Sequence, residues 1–152
     1  MMKNITCAIL IVLLSGCGSS DSGFNTDYER AKPQETSTNF ELWYDESLSD
    51  PFVKRLEENW LDVQTCVGIA APKQSYKLTI RYIPRENMPV DIGVYNYVEK
   101  RILVDEFFIT PEWDHVVRHE MIHHLLYITG HDLEDNENHE PEWMFNTCGV
   151  LK

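Results

Sequence analysis

His119-Glu120-Met121-Ile122-His123 places two imidazoles four residues apart, with a carboxylate directly after the first. On a helix, side chains at i and i+4 stack on one face, about 6 Å apart along the axis. Two imidazoles so placed can reach one zinc ion at about 2.0–2.1 Å. Glu120 is rotated by about 100° from His119. It therefore lies beside the ion without ligating it, where a carboxylate serves as general base toward an attacking water. The chemistry this spacing suits is metal-assisted hydrolysis. The competing account is an amphipathic helix with incidental surface histidines. Against it, the motif sits among Val116, Val117, Met121, Ile122, Leu125, Leu126 and Ile128, which is core composition.

A catalytic zinc needs a third protein donor and one open position. His131, Glu134, His139 and Glu142 all lie downstream within reach of a folded-back loop. The position six residues after His123, where a short-spaced third histidine would fall, is Thr129. Spacing leaves the four candidates open. His115 lies one turn before His119 on the same face, where it could orient a ligand, although a solvated helix histidine is the commoner state. His124 points off that face and is assigned no role. His115, Tyr95, Tyr97 and Tyr127 are the candidate donors to a developing oxyanion. Asp132, Glu134, Asp135 and Glu137 resemble half of a calcium loop but lack its central glycine and closing spacing, so they read as a solvated acidic loop.

The motif needs a helix to carry it. Thr110-Pro111-Glu112 supplies a cap, a proline at the first helical position and an acid in the first turn. The helix should end near Thr129, before Gly130. Upstream, residues 40–44 suit a short strand. Asp50-Pro51 opens a helix whose stripe is Phe52, Val53, Leu56, Trp60, Leu61 and Val63, and Gly68 stops it. Residues 77–83 alternate as a half-buried strand that Pro84 ends, and residues 93–98 and 101–105 read as two strands joined at Glu99-Lys100. Residues 131–140 read as irregular, and residues 141–148 as a last short helix with Trp143 and Phe145 inward. The expected class is α+β: a small mixed sheet, a site-bearing helix and a short C-terminal helix.

The chain has 152 residues, room for one domain. Lys3 and the apolar run over residues 5–14 suit a signal peptide, since ten apolar residues are too few to span a bilayer. Leu14-Ser15-Gly16-Cys17 resembles a bacterial lipobox, which implies removal of residues 1–16 and lipidation of Cys17. Polar residues 18–38 then read as a flexible tether reaching on the order of 25 Å, and residues 39–152 as the catalytic domain. The net charge of −12 makes nucleic acid an unsuitable partner and leaves membrane attachment to the acyl chains. Cys66 and Cys148 remain as an even pair in an oxidising compartment. A disulfide between them would close a loop worth about 4.5 kcal/mol on the chain-entropy model.

His119 to Leu126, then Gly130, then His139-Glu140-Pro141-Glu142-Trp143, then Cys148-Gly149, resembles a group of small bacterial zincin-like metallopeptidase lipoproteins. The resemblance is good over residues 112–149 and loose over residues 40–150. It implies a minimal zincin-like fold and favours His139 as third ligand, beside His119 and His123. It also implies that residues 93–98 form an edge strand with residues 101–105 inside it, open to an extended peptide. The resulting expectation is a monomeric zinc-dependent hydrolase, a peptidase with one Zn2+ and Glu120 as base. It would act on a peptide or protein while anchored through Cys17 in the bacterial envelope, facing the periplasm. Gly18 after Cys17 favours the outer membrane. The alternative expectation is a non-catalytic zinc-binding envelope lipoprotein, which would have no use for Glu120.

Overall fold

The structure, a computed structural model, describes residues 32–37, 40–44, 49–72, 78–88 and 92–150, the first two segments as backbone. The expected signal segment, Cys17 and residues 18–31 lie outside the described residues. Strands β1 (Lys32–Ser37), β2 (Phe40–Tyr44), β3 (Leu78–Ile83), β4 (Gly93–Asn96) and β5 (Arg101–Asp105) form one sheet in the order β1-β2-β3-β5-β4. The central three run parallel, while β1 and β4 are antiparallel to their neighbours at the two edges. With helices α1 (Asp50–Val67) and α2 (Asp114–Ile128), this is a mixed α+β fold.

The parallel β2–β3 pair needs a crossover, and α1 supplies it. Its stripe of Phe52, Leu56, Trp60 and Val63 packs with Leu78 and Ile80 of β3, Ile102 and Val104 of β5, and Val117, Met121 and Leu125 of α2. Ser49, in extended conformation, precedes the helix one residue earlier than the expected Asp50 cap. Gly68 closes it at φ 76°, its N–H bonded to the Gln64 carbonyl at 2.9 Å. Leu61, counted in the stripe from sequence, is exposed, and Asn59 is buried in its place.

Two other expectations change. Alternation predicts one wet face for β3, yet only Thr79 of its six residues is not fully buried. The cause is position: β3 is flanked by β2 and β5 inside the sheet. Polar composition predicts tether up to residue 38, yet Lys32–Ser37 pairs with β2. Composition reports on side chains, whereas a neighbouring edge satisfies backbone groups whichever side chains they carry.

A polar chain ties the helices together behind the core. Arg55 Nε lies 3.0 Å from Asp114 Oδ2, and Asn59 Nδ2 donates to the same oxygen at 2.9 Å. Arg118 donates from Nη1 to Asn59 Oδ1 at 3.2 Å and from Nε to the Cys148 carbonyl at 3.1 Å. The C-terminal segment is a π-helical turn, Met144–Cys148, rather than an α-helix. Phe145 faces inward as expected, but Trp143 is exposed and Met144 is buried instead. Cys148 closes the turn onto α1 through a disulfide to Cys66, across a sequence separation of 82. No helix among the described residues is long and apolar enough to cross a membrane.

Replacing Cys66 and Cys148 together with serine is expected to remove about 2–5 kcal/mol of stability. Urea unfolding of the double variant beside its parent measures this, and coincident midpoints would refute a stabilising role for the bridge.

Candidate metal centre

α2 begins later than its sequence signals suggest. Pro111–Trp113 forms a single 3-10 turn, and the α-helix proper starts at Asp114. The motif is thereby in mid-helix. His119 and His123 present their rings to one side, with centroids 5.1 Å apart. On the other flank of the helix, β4 comes very close. A Cβ at Gly93 would lie 2.7 Å from Val116 Cγ1 and 3.4 Å from Glu120 Cγ, so only glycine lets the strand approach here. The gain is a hydrogen bond from the Tyr95 backbone N–H to the Glu120 carboxylate.

The third histidine arrives by a route the sequence hides. Residues 131–140, expected to be irregular, contain a short helix, α3 (Leu133–Glu137). Asp132 caps its start by accepting from the backbone N–H groups of Glu134 and Asp135. Its end is a Schellman closure: the His139 N–H bonds to the Asn136 carbonyl at 3.1 Å and the Glu140 N–H to the Asp135 carbonyl at 2.7 Å. His139 occupies the left-handed position of that closure, at φ 61°, where glycine is usual. The reversal delivers its ring to α2, with His139 Nε2 3.1 Å from His119 Nε2.

His119, His123 and His139 each offer one ring nitrogen, and these three atoms lie within 4.8 Å of one another. Two ligands at about 2.05 Å from a tetrahedral zinc are about 3.3 Å apart, close to the 3.1 Å separation between His119 and His139. Three neutral imidazoles with no carboxylate among them suit a borderline transition-metal ion such as zinc rather than calcium or magnesium. Of the other ligand candidates, His131 is exposed and its Nδ1 lies 3.1 Å from Thr129 Oγ1. Glu134 is exposed, and Glu142 accepts from Asn146 at 2.9 Å. Neither the acids nor His131 join the cluster among the described residues.

Burial sets the protonation of the group. Desolvation, helped by the neighbouring histidines, pushes His119 down to about 4 and His123 to about 3. Burial also lowers His139. Glu120 moves the other way, up to about 8, because desolvation disfavours its charged form more than the Tyr95 N–H favours it. Phe145 forms the apolar wall, its ring 5.2 Å from His119, 4.7 Å from His123 and 4.7 Å from His139.

The candidate oxyanion donors are placed as follows. Tyr95 Oη is 3.1 Å from His124 Nδ1, and Tyr97 Oη is 3.2 Å from His123 Nδ1. His115 lies against Trp113 in a tilted contact, and Tyr127 packs against both tyrosines. His124, given no role from sequence, is a fully buried spacer between Trp60 and Tyr95, and burial lowers it to about 4. Asn136 was not singled out by sequence reading. It is buried, with Oδ1 2.9 Å from His123 Nδ1 and Nδ2 donating to the His123 carbonyl at 2.9 Å. The only hint in the sequence is its place four residues after a capping aspartate.

Two predictions follow from burial and backbone conformation. In chelator-stripped protein, His119, His123 and His124 each bind fewer protons folded than unfolded below about 6.5, and Glu120 binds more above about 4.5. Three histidines outweigh one carboxyl between those values. Stability should therefore fall on acidification from pH 6.5 to 4.5, by a proton balance of about two. Urea midpoints across that range test it, and a midpoint that holds level or rises on acidification contradicts it. At position 139, glycine should give a fold about 1 kcal/mol more stable than alanine, since both lose the imidazole and only alanine opposes the left-handed backbone. Equal thermal midpoints would show that the closure is not held as described.

No protein-family model matches this chain, and neither a curated protein nor a solved structure does.

Proposed function

We propose that this protein is a zinc-dependent hydrolase, a peptidase of minimal zincin-like fold, anchored to the bacterial envelope through lipidated Cys17. The observation that carries the reading is a buried carboxylate, Glu120, one residue along the helix from a three-imidazole cluster. His119, His123 and His139 would hold the ion. When bound, a zinc ion on three neutral nitrogens supplies Lewis acidity toward a carbonyl oxygen and toward water. The residues around it do the rest. Burial keeps the imidazoles unprotonated, so protons do not compete for the donor nitrogens near neutral pH. A nearby cation opposes the desolvation that raises Glu120 and favours its carboxylate form. As carboxylate, Glu120 takes a proton from the attacking water on one Oε. It returns that proton to the leaving amine nitrogen as the peptide C–N bond breaks.

Support for a peptide substrate comes from the sheet. β4 is an edge strand, antiparallel to β5, and it abuts the Glu120 turn of α2 at Gly93. An extended peptide can add to such an edge by main-chain hydrogen bonds. A zinc-holding lipoprotein without catalysis is the second reading. It leaves unexplained why an acid is buried beside the donors, where an apolar residue would cost less.

His119→Ala, His123→Ala or His139→Ala should each abolish stoichiometric zinc, whereas His131→Ala should not. Glu120→Gln should retain zinc and lose peptide hydrolysis by about 100- to 10,000-fold. Metal analysis beside a peptide-cleavage assay reads both. Undiminished cleavage by Glu120→Gln rejects the mechanism, and a parent that holds zinc yet cleaves nothing favours the second reading. Cys17→Ser should release the protein from membranes into the soluble fraction, and a variant that stays membrane-bound with labelled acyl chains rejects the anchor.

A further inference from the structure

We propose that Asn136 is a positioning residue for the metal centre: it holds His123 in the tautomer protonated at Nδ1, so that Nε2 is the nitrogen offered to the cluster. The inference rests on the metal-binding reading of the three histidines but not on the hydrolytic one.

The tautomer follows from hydrogen-bond polarity alone. The His123 backbone carbonyl can only accept, and the Asn136 amide group nearest it, 2.9 Å away, must be the donor Nδ2. That choice fixes the other end of the amide, so Oδ1 is the atom 2.9 Å from His123 Nδ1. A carbonyl oxygen carries no proton, so Nδ1–H is the donor and the ring's lone pair is on Nε2. One amide thereby grips both the backbone and the ring of a single residue. Its burial excludes water as a competing partner for either end. The Tyr97 hydroxyl, 3.2 Å from the same Nδ1, can only share that proton as a second acceptor.

The placement also couples two histidines. Asn136 and His139 both belong to α3 and its closure, and the Asn136 carbonyl accepts the His139 N–H. The element that turns His139 into the cluster thus carries the group that orients His123. A metal-ligating imidazole whose second nitrogen is so held loses about 10- to 100-fold in metal affinity when the partner is removed.

The experiment uses zinc itself and two variants. Long-range 1H–15N spectra of the chelator-stripped parent should show His123 protonated at Nδ1; protonation at Nε2 overturns the proposal without any substitution. Asn136→Leu removes both contacts and should weaken Zn2+ binding about 10- to 100-fold in a chelator competition. Asn136→Asp keeps the acceptor facing Nδ1 but loses the donor to the His123 carbonyl, and should bind Zn2+ within about threefold of the parent. A role limited to docking α3 on α2 predicts that both variants weaken alike, so equal losses count against positioning. A folded Asn136→Leu with parental affinity does so as well. A parent that binds no Zn2+ at all rejects the metal site itself. That failure is separate, because the His123 tautomer is read without metal.

Discussion

Three imidazole nitrogens gathered within 4.8 Å of one another give up the solvation that water would supply to each. Three elements hold them there: α2, the α3 closure and the Phe145 turn. α2 contributes two of the rings at fixed helical spacing, so their relative placement costs no further ordering. The third ring comes on a chain reversal, whose Schellman hydrogen bonds hold His139 at φ 61°. Phe145 closes the remaining side at ring distances of 4.7–5.2 Å. The turn that carries Phe145 is in turn fixed twice, by the Cys66–Cys148 bridge and by Arg118 on the Cys148 carbonyl.

One cause, desolvation, shifts the ionisable groups in opposite directions. It lowers the histidines and raises Glu120, so the metal-free site favours neutral imidazoles beside a neutral acid. A divalent cation suits the first condition and reverses the second. A cation held by the imidazoles would therefore shift Glu120 toward its carboxylate form. Gly93 and the Tyr95 N–H make this possible, because they bring a backbone donor to the carboxylate where a side chain would not fit.

The part of the site written in local spacing was legible in the sequence. His119, Glu120 and His123 follow from i, i+1, i+4 positions on one helix, and the Cys66–Cys148 disulfide matches the pairing expected once Cys7 and Cys17 are set aside. The edge position of β4 matches the reading of residues 93–98, although the strand stops at Asn96 and Lys100 turns the chain at φ 55°. α3 was hidden because five residues are too few for periodicity, and its closure lacks the glycine that normally announces one. Asn136 was hidden because its partner, His123, is 13 residues away on another element, and a polar residue in an acidic stretch looks solvated. Burial in the sheet was misjudged where sequence shows alternation but not neighbours, as at Arg81 in β3.

The site is also a burden on the fold that holds it. Half-buried His119 and buried His123 and His124 must remain uncharged, Glu120 must be protonated or paired, and His139 sits in a backbone well that disfavours it. His124 Nε2 is buried without a hydrogen-bond partner among the described residues. None of these helps the chain fold. Contacts that do help lie at the junction with α1, where Asp114 and Arg118 link the first turns of α2 to Arg55 and Asn59. The bridge from α1 to the Phe145 turn lies at the same junction. The junction that ties α2 to α1 therefore also fixes Phe145 against the three histidines. These polar and covalent ties offset the cost of two uncharged donors and an acid on α2 and of a third donor on the α3 closure.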